Sequence, residues 1–347
     1  MNILITAAGS GGTNGIISTL PKNNFTFIGV NSDYYKAAAS NIAVTYQIAH
    51  ASDEENYIHQ LNWIIQKHNI ELLIPNSDLE VEVVSKNTTA INAKTFLPDI
   101  EMCKIGNDKF STYKLCLKNN INVPKSINAM TLEGFKIALE ELCIYPLWCR
   151  IRYGSGSKFT KKVFSLEEAM DFIKNTSKEY NLIISDFLIS EYLPGDDCLV
   201  FTIWHKGTLR YFATAHRMKY FGNQGQSAPT LIKKEYRHEL FEMVMRLARQ
   251  GNIQPHGIYN FDIKYDRNNN PAITEINIGR FYYNMPLFNR SSHKTPFEVY
   301  VDSANDLTTE NTIISKEEFF FLRDQDNFPV VLSQEEISQK VMTVYED

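Results

Sequence analysis

The chain has 347 residues, of which 44% are hydrophobic and 22% are charged, and its formal net charge is −5 at pH 7. This length is sufficient for two or three packed units with apolar cores. The negative charge argues against a nucleic-acid-binding protein that neutralises phosphates over a broad basic surface.

The five cysteines are odd in number, scattered, and never spaced as a CxxC pair: Cys103, Cys116, Cys143, Cys149 and Cys198. This pattern predicts neither a disulfide framework nor a zinc site, and favours buried thiols in a reducing compartment. No basic leader precedes the first apolar stretch, and no apolar run approaches the roughly 20 residues of a membrane span. We therefore expect a soluble cytoplasmic protein that binds neither nucleic acid nor a membrane.

Short apolar runs alternate with helical patterns over residues 1–105. Strands are predicted at Ile3–Ile5, Phe25–Val30 and Leu72–Pro75, and a capping box at Ser52–Glu55 predicts a helix between the last two. Strands separated by helices predict a parallel sheet with helices on its faces.

A glycine-rich turn follows the first strand, at Gly9, Gly11, Gly12 and Gly15. It could place a helix N-terminus against a phosphate, as in dinucleotide-binding folds, but the spacing is not GxGxxG. The favoured interpretation is a tight turn that lets strand and helix pack closely.

A nicotinamide-dependent oxidoreductase is the alternative function built on this turn. It would need an acidic ribose partner, for which Asp33 is available, but no hydride-transfer site is evident downstream.

The pattern changes at Asp108, which is predicted to cap a helix that begins at Lys109. Further along, strands over 145–150 and 160–164 enclose a loop of small residues and predict a hairpin. Its tip can approach a phosphate closely because its glycines carry no side chain.

Two arginines strengthen this interpretation of the hairpin. Arg150 and Arg152 are expected to point the same way from the incoming strand and to supply fixed positive charge beside the loop. For the loop alone, a mobile turn exposed to solvent is the favoured alternative.

A third feature is a Glu-Tyr-Leu-Pro-Gly run at 191–195, between two predicted strands. The backbone of Glu191, Tyr192 and Leu193 can offer hydrogen bonds to an adenine edge, and Asp197 can accept ribose hydroxyls. The alternative is a plain sheet connection with an acidic turn.

The most informative segment spans residues 258–280 and predicts a hairpin with a turn at 266–271. Its two antiparallel strands bring Asp262 beside Glu275, and Glu275 shares a face with Asn277. Carboxylate and amide oxygens, together with phosphate oxygens, are the ligands that Mg²⁺ prefers. A solvated hairpin with acidic outer positions is the alternative.

Taken in this order, these features resemble the ATP-grasp superfamily, in particular single-unit proteins similar to a fragment of the carbamoyl-phosphate synthase large subunit. The resemblance covers residues 1 to about 305. It implies an α/β and α+β fold: a parallel, Rossmann-like pre-ATP-grasp domain at 1–105, then a two-lobed ATP-grasp domain with antiparallel sheets. The small lobe, or lid, would span 106–190, the large lobe with its metal site 191–305, and a C-terminal tail at 306–347 would pack back on the fold.

The resemblance also implies roles for individual residues. ATP would be bound by Lys109, Arg150, Arg152, Gly154, Ser155, Gly156, Ser157, Glu191, Tyr192, Leu193, Asp197 and Lys219. Two Mg²⁺ ions, with Mn²⁺ as an alternative, would be bound by Asp262, Glu275 and Asn277, and the catalytic residues would be Arg280 and Arg217. Two residues depart from the family pattern: Arg150 stands where lysine is usual, and Arg280 lies three residues after Asn277 where two is more frequent.

The activity implied is an ATP-dependent ligase that joins a small-molecule carboxylate to an amine or ammonia through an acyl-phosphate. A homodimer is one assembly to be expected. Because Arg150 departs from type, a phosphotransferase or a nucleotide-binding protein without ligase turnover is the alternative. In the first domain, Ser77, Asp78 and Glu80 are candidates for the substrate wall, although a helix N-cap is the favoured role of Asp78. The tail, with apolar runs at 319–322 and 329–332, is expected to pack back as a strand pair or to cover a partner.

Overall fold

The fold was analysed in a computed structural model that describes residues 1–20, 25–142, 144–154, 159–222, 228–250, 253–290, 294–307, 312–323 and 339–343. Within these residues it contains three β-sheets. Strands and helices are numbered separately in chain order.

The first sheet is parallel throughout, with the strand order β17-β3-β2-β1-β4-β5. Its strands are β1 (Asn2–Ile5), β2 (Thr26–Asn31), β3 (Val44–Gln47), β4 (Leu72–Ile74), β5 (Lys94–Thr95) and β17 (Val341–Thr343). The helices that accompany it are α1 (Gly11–Thr19), α2 (Tyr34–Ala38), α3 (Glu54–Lys67), α4 (Asp78–Lys86) and α5 (Ile100–Asn107). Its central strands are almost wholly apolar and buried, as expected for a sheet with helices on both faces.

The second sheet is small and antiparallel, with the order β6-β9-β7-β8. Its strands are β6 (Ser126–Ile127), β7 (Leu147–Ile151), β8 (Lys161–Val163) and β9 (Phe187–Glu191). The helix α6 (Lys109–Lys118) precedes it, and α7 (Leu132–Leu142) and α8 (Leu166–Tyr180) pack on one face around a separate core that includes Phe135, Ile173 and Phe187.

The third sheet is the largest, with the order β14-β13-β10-β11-β12-β16 and a short strand, β15, beside β11. Its strands are β10 (Asp197–His205), β11 (Thr208–Tyr220), β12 (Pro229–Lys234), β13 (Gly257–Tyr265), β14 (Pro271–Ile278), β15 (Ile313–Ile314) and β16 (Phe319–Leu322). The remaining helices are α9 (His238–Gln250), α10 (Met285–Arg290) and α11 (Pro296–Ala304). Two apolar cores join this sheet to the first one, so the two pack as neighbours.

The predicted fold class is confirmed, with a parallel sheet followed by antiparallel sheets. The three predicted N-terminal strands correspond to β1, β2 and β4, whereas β3 and β5, which contain Thr45, Gln47, Lys94 and Thr95, lack the continuous apolar run that marked the others. The capping box at Ser52–Glu55 is wrong, because α3 begins at Glu54 and the Ser52 hydroxyl instead lies 2.8 Å from Nδ1 of His50.

The tail returns to two sheets. Residues 319–322 form β16 at the edge of the third sheet and β17 joins the first sheet, while the apolar run at 329–332 lies outside the described residues. Four cysteines, Cys103, Cys116, Cys149 and Cys198, are buried free thiols; Cys143 lies outside the described residues. In the described part of the chain, none of the helices is both long and apolar enough to cross a membrane.

Candidate active site

Two carboxylates lie side by side on the β13–β14 hairpin. Asp262 is directly opposite Glu275 in the register, and a bulge follows in which Thr274 donates a hydrogen bond from Oγ1 to the carbonyl oxygen of Asp262, at 3.0 Å. Asn277 donates from Nδ2 to Oδ2 of Asp262 at 3.1 Å. Pairing within a single ladder thus brings together all three side chains that the sequence nominates for a metal; their binding of a metal stays a prediction.

Arg217, from β11, bridges two carboxylates of this face. Its guanidinium lies 2.5 Å from Oδ1 of Asp262 and 2.8 Å from Oδ1 of Asp197, which also accepts a hydrogen bond from the hydroxyl of Tyr220 at 2.5 Å. Burial raises the pKa of Asp262 and the neighbouring Glu275 raises it further, against the opposing effect of Arg217. The arginine therefore offsets part of the cost of ionising Asp262, which burial would otherwise increase further.

Glu275 has the opposite balance. Burial alone would raise its pKa, but Lys109, whose Nζ is 3.1 Å from Oε1, and Arg150 more than offset that effect, so its pKa lies below the usual range. Lys109 also donates to the carbonyl oxygen of Gly154 at 2.6 Å. The lysine thus connects the β13–β14 hairpin to the tip of the β7–β8 hairpin.

Arg150 reaches the same site from β7. It is only 8% exposed, and Nη2 donates to the carbonyl oxygen of Thr274 at 3.0 Å, while Nε is buried without a hydrogen-bond partner. Burial lowers the pKa of Arg150, and Glu275 and Asp262 oppose that shift. The structure therefore places this arginine beside the carboxylates, at the position where the sequence led us to expect a phosphate-binding cation.

Arg152 does not accompany Arg150, so the expectation that both point the same way is wrong. Strand β7 ends at Ile151, and Arg152 turns to Asp108, with Nε and Nη2 at 2.9 and 2.6 Å from the two carboxylate oxygens. Asp108 is the N-cap of α6, and Lys109 is its first residue. Arg152 therefore fixes the helix that carries Lys109, and its own contact with a nucleotide stays a prediction.

The proposed hinge follows the end of β9. The backbone NH groups of Glu191 and Tyr192 donate to the carbonyl oxygens of Lys125 and Pro146, at 2.8 and 3.3 Å. Leu193, next along, is buried. Two of the hinge donors are thus engaged within the protein, and binding of adenine by this segment stays a prediction.

The tip of the lid is described only in part. Gly154 has a φ of +97°, which a residue with a side chain rarely adopts. Ser155, Gly156 and Ser157 lie outside the described residues.

Arg280 links the hairpin to the first sheet. It pairs through Nε with Oδ1 of Asp78 and donates from Nη2 to Oδ1 of Asn277 at 2.8 Å. The expected N-cap role of Asp78 is wrong: Ser77 is the N-cap of α4 and Asp78 is its first residue, free to face Arg280. Glu80, the other acidic candidate, accepts a hydrogen bond from Thr6 at 2.6 Å instead.

The remaining candidate, Lys219, is exposed beside a bulge in β11, and among the described residues it pairs with no carboxylate. His216 lies 3.7 Å from Asp196. The site also contains residues that the sequence analysis did not single out. Lys264 faces Asp197 across the β10–β13 ladder, and Tyr282 stacks under Arg280, with 5.3 Å between the guanidinium and the ring centre. Period-2 alternation from Asp262 could have indicated Lys264.

The glycine turn packs against protein. A Cβ on Gly12 would lie 3.4 Å from the carbonyl oxygen of Phe281, and one on Gly15 would lie 3.2 Å from Pro286. A Cβ on Gly9, where φ is +83°, would meet the backbone of Lys36. These contacts support the tight-turn interpretation, and Asp33 serves as the N-cap of α2.

Neither a protein-family model nor a curated protein sequence matches the chain. Solved structures do match it. An L-amino acid ligase from Bacillus licheniformis is 12% identical with a TM-score of 0.67, covering 87% of this chain and 73% of its own. A biotin carboxylase from Campylobacter jejuni, in a β,γ-ATP complex, is 15% identical with a TM-score of 0.69, covering 89% and 72%.

A third similar structure is an N5-carboxyaminoimidazole synthetase from Staphylococcus aureus complexed with ADP. It is 14% identical with a TM-score of 0.69, and the match covers 92% of this chain and 81% of the other. At these identities the likeness establishes the fold: the chain has the ATP-grasp fold, which confirms the resemblance found in the sequence at that level.

Proposed function

We propose that the protein is an ATP-dependent, ADP-forming ligase that joins a carboxylate to an amine or ammonia through an acyl-phosphate. The observation that carries this proposal is the paired carboxylates Asp262 and Glu275, with Arg217 and Lys109 bonded to them and Arg150 close by. A buried face with alternating fixed charges is suited to stabilising a phosphoryl group in transfer. Structures with the same fold are named as a ligase, a carboxylase and a synthetase, and the last two were solved with a bound nucleotide, which supports the proposal.

The donor set fits magnesium bound together with phosphates. Among the described residues, no group of three or more His, Cys, Asp or Glu side chains could hold a metal alone. Mg²⁺ in nucleotide enzymes needs only one or two carboxylates because phosphate and water oxygens complete its shell. Asp262, Glu275 and Asn277 would hold two ions, with Mn²⁺ able to replace Mg²⁺, and the bound metal would neutralise charge on the transferring phosphoryl group.

The protein's own residues would then bind and orient ATP. Lys109 and Arg150 would place positive charge against the phosphates, with Gly154 in the lid above them and Lys219 and Arg152 as further candidates. Adenine would lie against the backbone of 191–193 and the ribose near Asp197. Asp197 already pairs with Arg217 and accepts a hydrogen bond from Tyr220. To bind the ribose as well, its carboxylate would have to accept hydrogen bonds from the ribose hydroxyls beside these two partners.

The reaction follows from this arrangement. A substrate carboxylate oxygen attacks the γ-phosphorus, and the bond to ADP breaks. The amine nitrogen then attacks the acyl carbon and inorganic phosphate leaves, with loss of one proton from nitrogen. Arg280, held by Asn277 and Asp78, would stabilise the acyl-phosphate, and Arg217 would offset charge at Asp262.

We also propose the division into residues 1–105, 106–190, 191–305 and 306–347. The three sheets support it, since β1–β5, β6–β9 and β10–β14 follow the successive segments, except that the last residue of β9, Glu191, lies one position past the second boundary. The tail then contributes β15 and β16 to the third sheet and β17 to the first.

The first test is ligand binding. We expect Mg²⁺ with a non-hydrolysable ATP analogue to raise the melting temperature, and NADH or NADPH to leave it unchanged. A shift with a nicotinamide cofactor alone would overturn the assignment.

Turnover is tested with a panel of carboxylates and amines, followed by phosphate release and the mass of the product. A product that contains both substrates less one water supports the ligase. A phosphorylated product with no condensation would identify a phosphotransferase instead.

A further inference from the structure

The C-terminal tail forms part of the sheet that carries the site. Strand β16 pairs with β12, with Phe321 opposite Ile232 and Phe319 opposite Lys234. Lys234, which is fully buried, donates from Nζ to the carbonyl oxygen of Glu317. A buried ammonium group that has a backbone carbonyl as its partner ties the start of this strand to the sheet.

The register of this strand directs Arg323 toward the site. Ile232 lies opposite Arg217 on β12 and β11, and opposite Phe321 on β16, so these three side chains share one face. Side chains two residues apart in a strand point the same way, and the NH of Arg323 continues the ladder by donating to Thr230 at 3.0 Å. Arg323 therefore lies on the same face as Arg217, one step farther along the strands.

The guanidinium of Arg323 is held between two aromatic rings. Its carbon lies 4.5 Å from the ring centre of Tyr283 and 5.7 Å from that of Phe221. Nε donates to the carbonyl oxygen of Pro229 at 2.9 Å, and within the described residues no carboxylate pairs with the group. Stacking fixes the plane of a guanidinium while leaving its edge donors available, which is the arrangement that recognises a carboxylate or phosphate.

Tyr283 connects this arginine to the proposed catalytic residues. Burial raises the pKa of its hydroxyl, and Arg217 and Arg323 both oppose that shift, which indicates that both guanidinium groups lie near this side chain. Two other cations of the site have acids as partners: Arg217 has Asp262, and Arg280 has Asp78. Arg323 is thus a preorganised cation at the edge of the site, and Tyr283 and Arg217 lie between it and the carboxylates that would bind the metal.

We propose that Arg323 recognises an oxyanion group on the carboxylate substrate other than the carboxylate that reacts. The substrate is then a dicarboxylate or a phosphorylated carboxylic acid. This inference rests on the proposed ligase function. The reacting carboxylate must meet the γ-phosphate beside Asp262 and Glu275. Tyr283 and Arg217 lie between that point and Arg323, so one carboxylate cannot both react there and bind Arg323.

The test compares pairs of substrates that differ by one charge: succinate with succinamate, glutarate with glutaramate, and 3-phosphoglycerate with glycerate. ATP-dependent phosphate release is measured with ammonium and with mixed amino acids as amines. We expect the more highly charged member of at least one pair to be preferred, and Arg323→Ala to reduce kcat/KM for that member roughly 10- to 100-fold, as expected for a charged hydrogen bond. Activity on the amide or hydroxyl member and affinity for the ATP analogue should change little. Arg323→Lys should restore part of the preference.

Lys316→Ala is the matched control, since Lys316 is an exposed tail cation that also lies over a tyrosine ring, 5.3 Å from the centre of Tyr236, in the part of the tail before β16. It should leave the preference intact. Equal loss for both members of a pair in Arg323→Ala, or weaker binding of the ATP analogue, would overturn the proposal in favour of a structural or nucleotide-binding role.

A binding measurement separates this inference from the ligase proposal. Calorimetry with the same pairs is performed in the presence of Mg²⁺ and the ATP analogue. Binding of a diacid that depends on Arg323, without any turnover, would reject the ligase and retain the oxyanion site. Turnover that does not distinguish the members of any pair, or binding of none of the anions, would reject the oxyanion site.

Discussion

The β13–β14 hairpin and the β7–β8 hairpin both bring charged side chains to the candidate site, but they hold them differently. On β13–β14, Asp262, Glu275 and Asn277 are adjacent because one backbone ladder sets their register. On β7, Arg150 reaches out of its own sheet to the carbonyl oxygen of Thr274, on the other hairpin. The arrangement of acidic and amide side chains on the β13–β14 hairpin is set by that hairpin alone. The position of Arg150 depends on a contact between two sheets.

This difference has a consequence for chemistry. A ladder of strands with a shared apolar core moves as a unit, so the acidic residues keep their spacing. The small sheet has its own core and is connected to the acidic residues through Arg150 and Lys109. Substitutions on the β13–β14 hairpin should therefore lower the turnover rate directly. Substitutions on the β7–β8 hairpin should mainly weaken ATP binding and misalign the phosphates.

The largest effect is expected for Glu275→Gln. The amide keeps the shape but loses the charge that would hold the metal, so we expect turnover to fall about 1,000-fold, equivalent to about 4 kcal/mol. Steady-state rates of phosphate release measure it, with the melting temperature as a check on folding. Glu242→Gln, an exposed substitution on α9, should be neutral. Unchanged turnover in Glu275→Gln would mean that the first hairpin is only a scaffold.

The residues on this hairpin were predictable because the information is local. Asp262, Glu275 and Asn277 follow from two strands, one turn and the alternation of side chains, all within residues 257–278. The parallel first sheet followed for the same reason, from strands that alternate with helices.

Other parts of the site depend on contacts between distant segments. Asp78 meets Arg280 across 202 positions, and no periodicity within either segment records that pairing. Arg323 belongs to a strand that pairs at the edge of the third sheet, far from the hairpin in sequence. Arg152 was misjudged because its guanidinium pairs with Asp108, 44 positions away, and alternation along β7 contains no information about that contact.

The next effect in size is expected for Arg150→Ala. Loss of a charged hydrogen bond to phosphate should weaken ATP affinity by about 1.5–3 kcal/mol, and Arg150→Lys should retain most of it. Calorimetry with the ATP analogue measures both. If neither variant alters affinity, the second hairpin does not deliver its arginine to the nucleotide.

The same variant makes a prediction about pH. Arg150 helps to keep the pKa of Glu275 below its usual range, so its removal should raise that pKa. A carboxylate must be ionised to hold a metal, and protonation occurs as the pH falls through its pKa. The acid limb of Mg²⁺-dependent ATP binding should therefore move to higher pH in Arg150→Ala. An acid limb that stays in place would show that Lys109 alone sets the charge of Glu275.

A smaller effect is expected for Asn277→Ala. The amide contributes one oxygen and orients Asp262 and Arg280, but it carries no charge, so we expect a loss of about 1–1.5 kcal/mol in transition-state stabilisation. A titration of activity with Mg²⁺ should show a higher requirement for metal with a modest change in maximal rate. If Asn277→Ala lowers turnover as much as Glu275→Gln does, the charge of the side chain is not what determines its contribution to catalysis on the β13–β14 hairpin.

The smallest effect on ATP affinity is expected for Arg152→Ala, because this arginine acts on Lys109 through the cap of α6. Affinity should fall by about 0.5–1 kcal/mol, less than in Arg150→Ala, whereas loss of a partly buried ion pair should lower the melting temperature. Asp108→Asn should have the same effect on affinity, and the double variant should be no worse than either single one. If Arg152→Ala weakens ATP binding as much as Arg150→Ala while Asp108→Asn does not, Arg152 contacts the nucleotide directly. The β7–β8 hairpin would then bring both Arg150 and Arg152 to the nucleotide, as alternation along β7 predicts. The two hairpins would then differ less in how they hold their charged side chains than the contacts of Arg152 indicate.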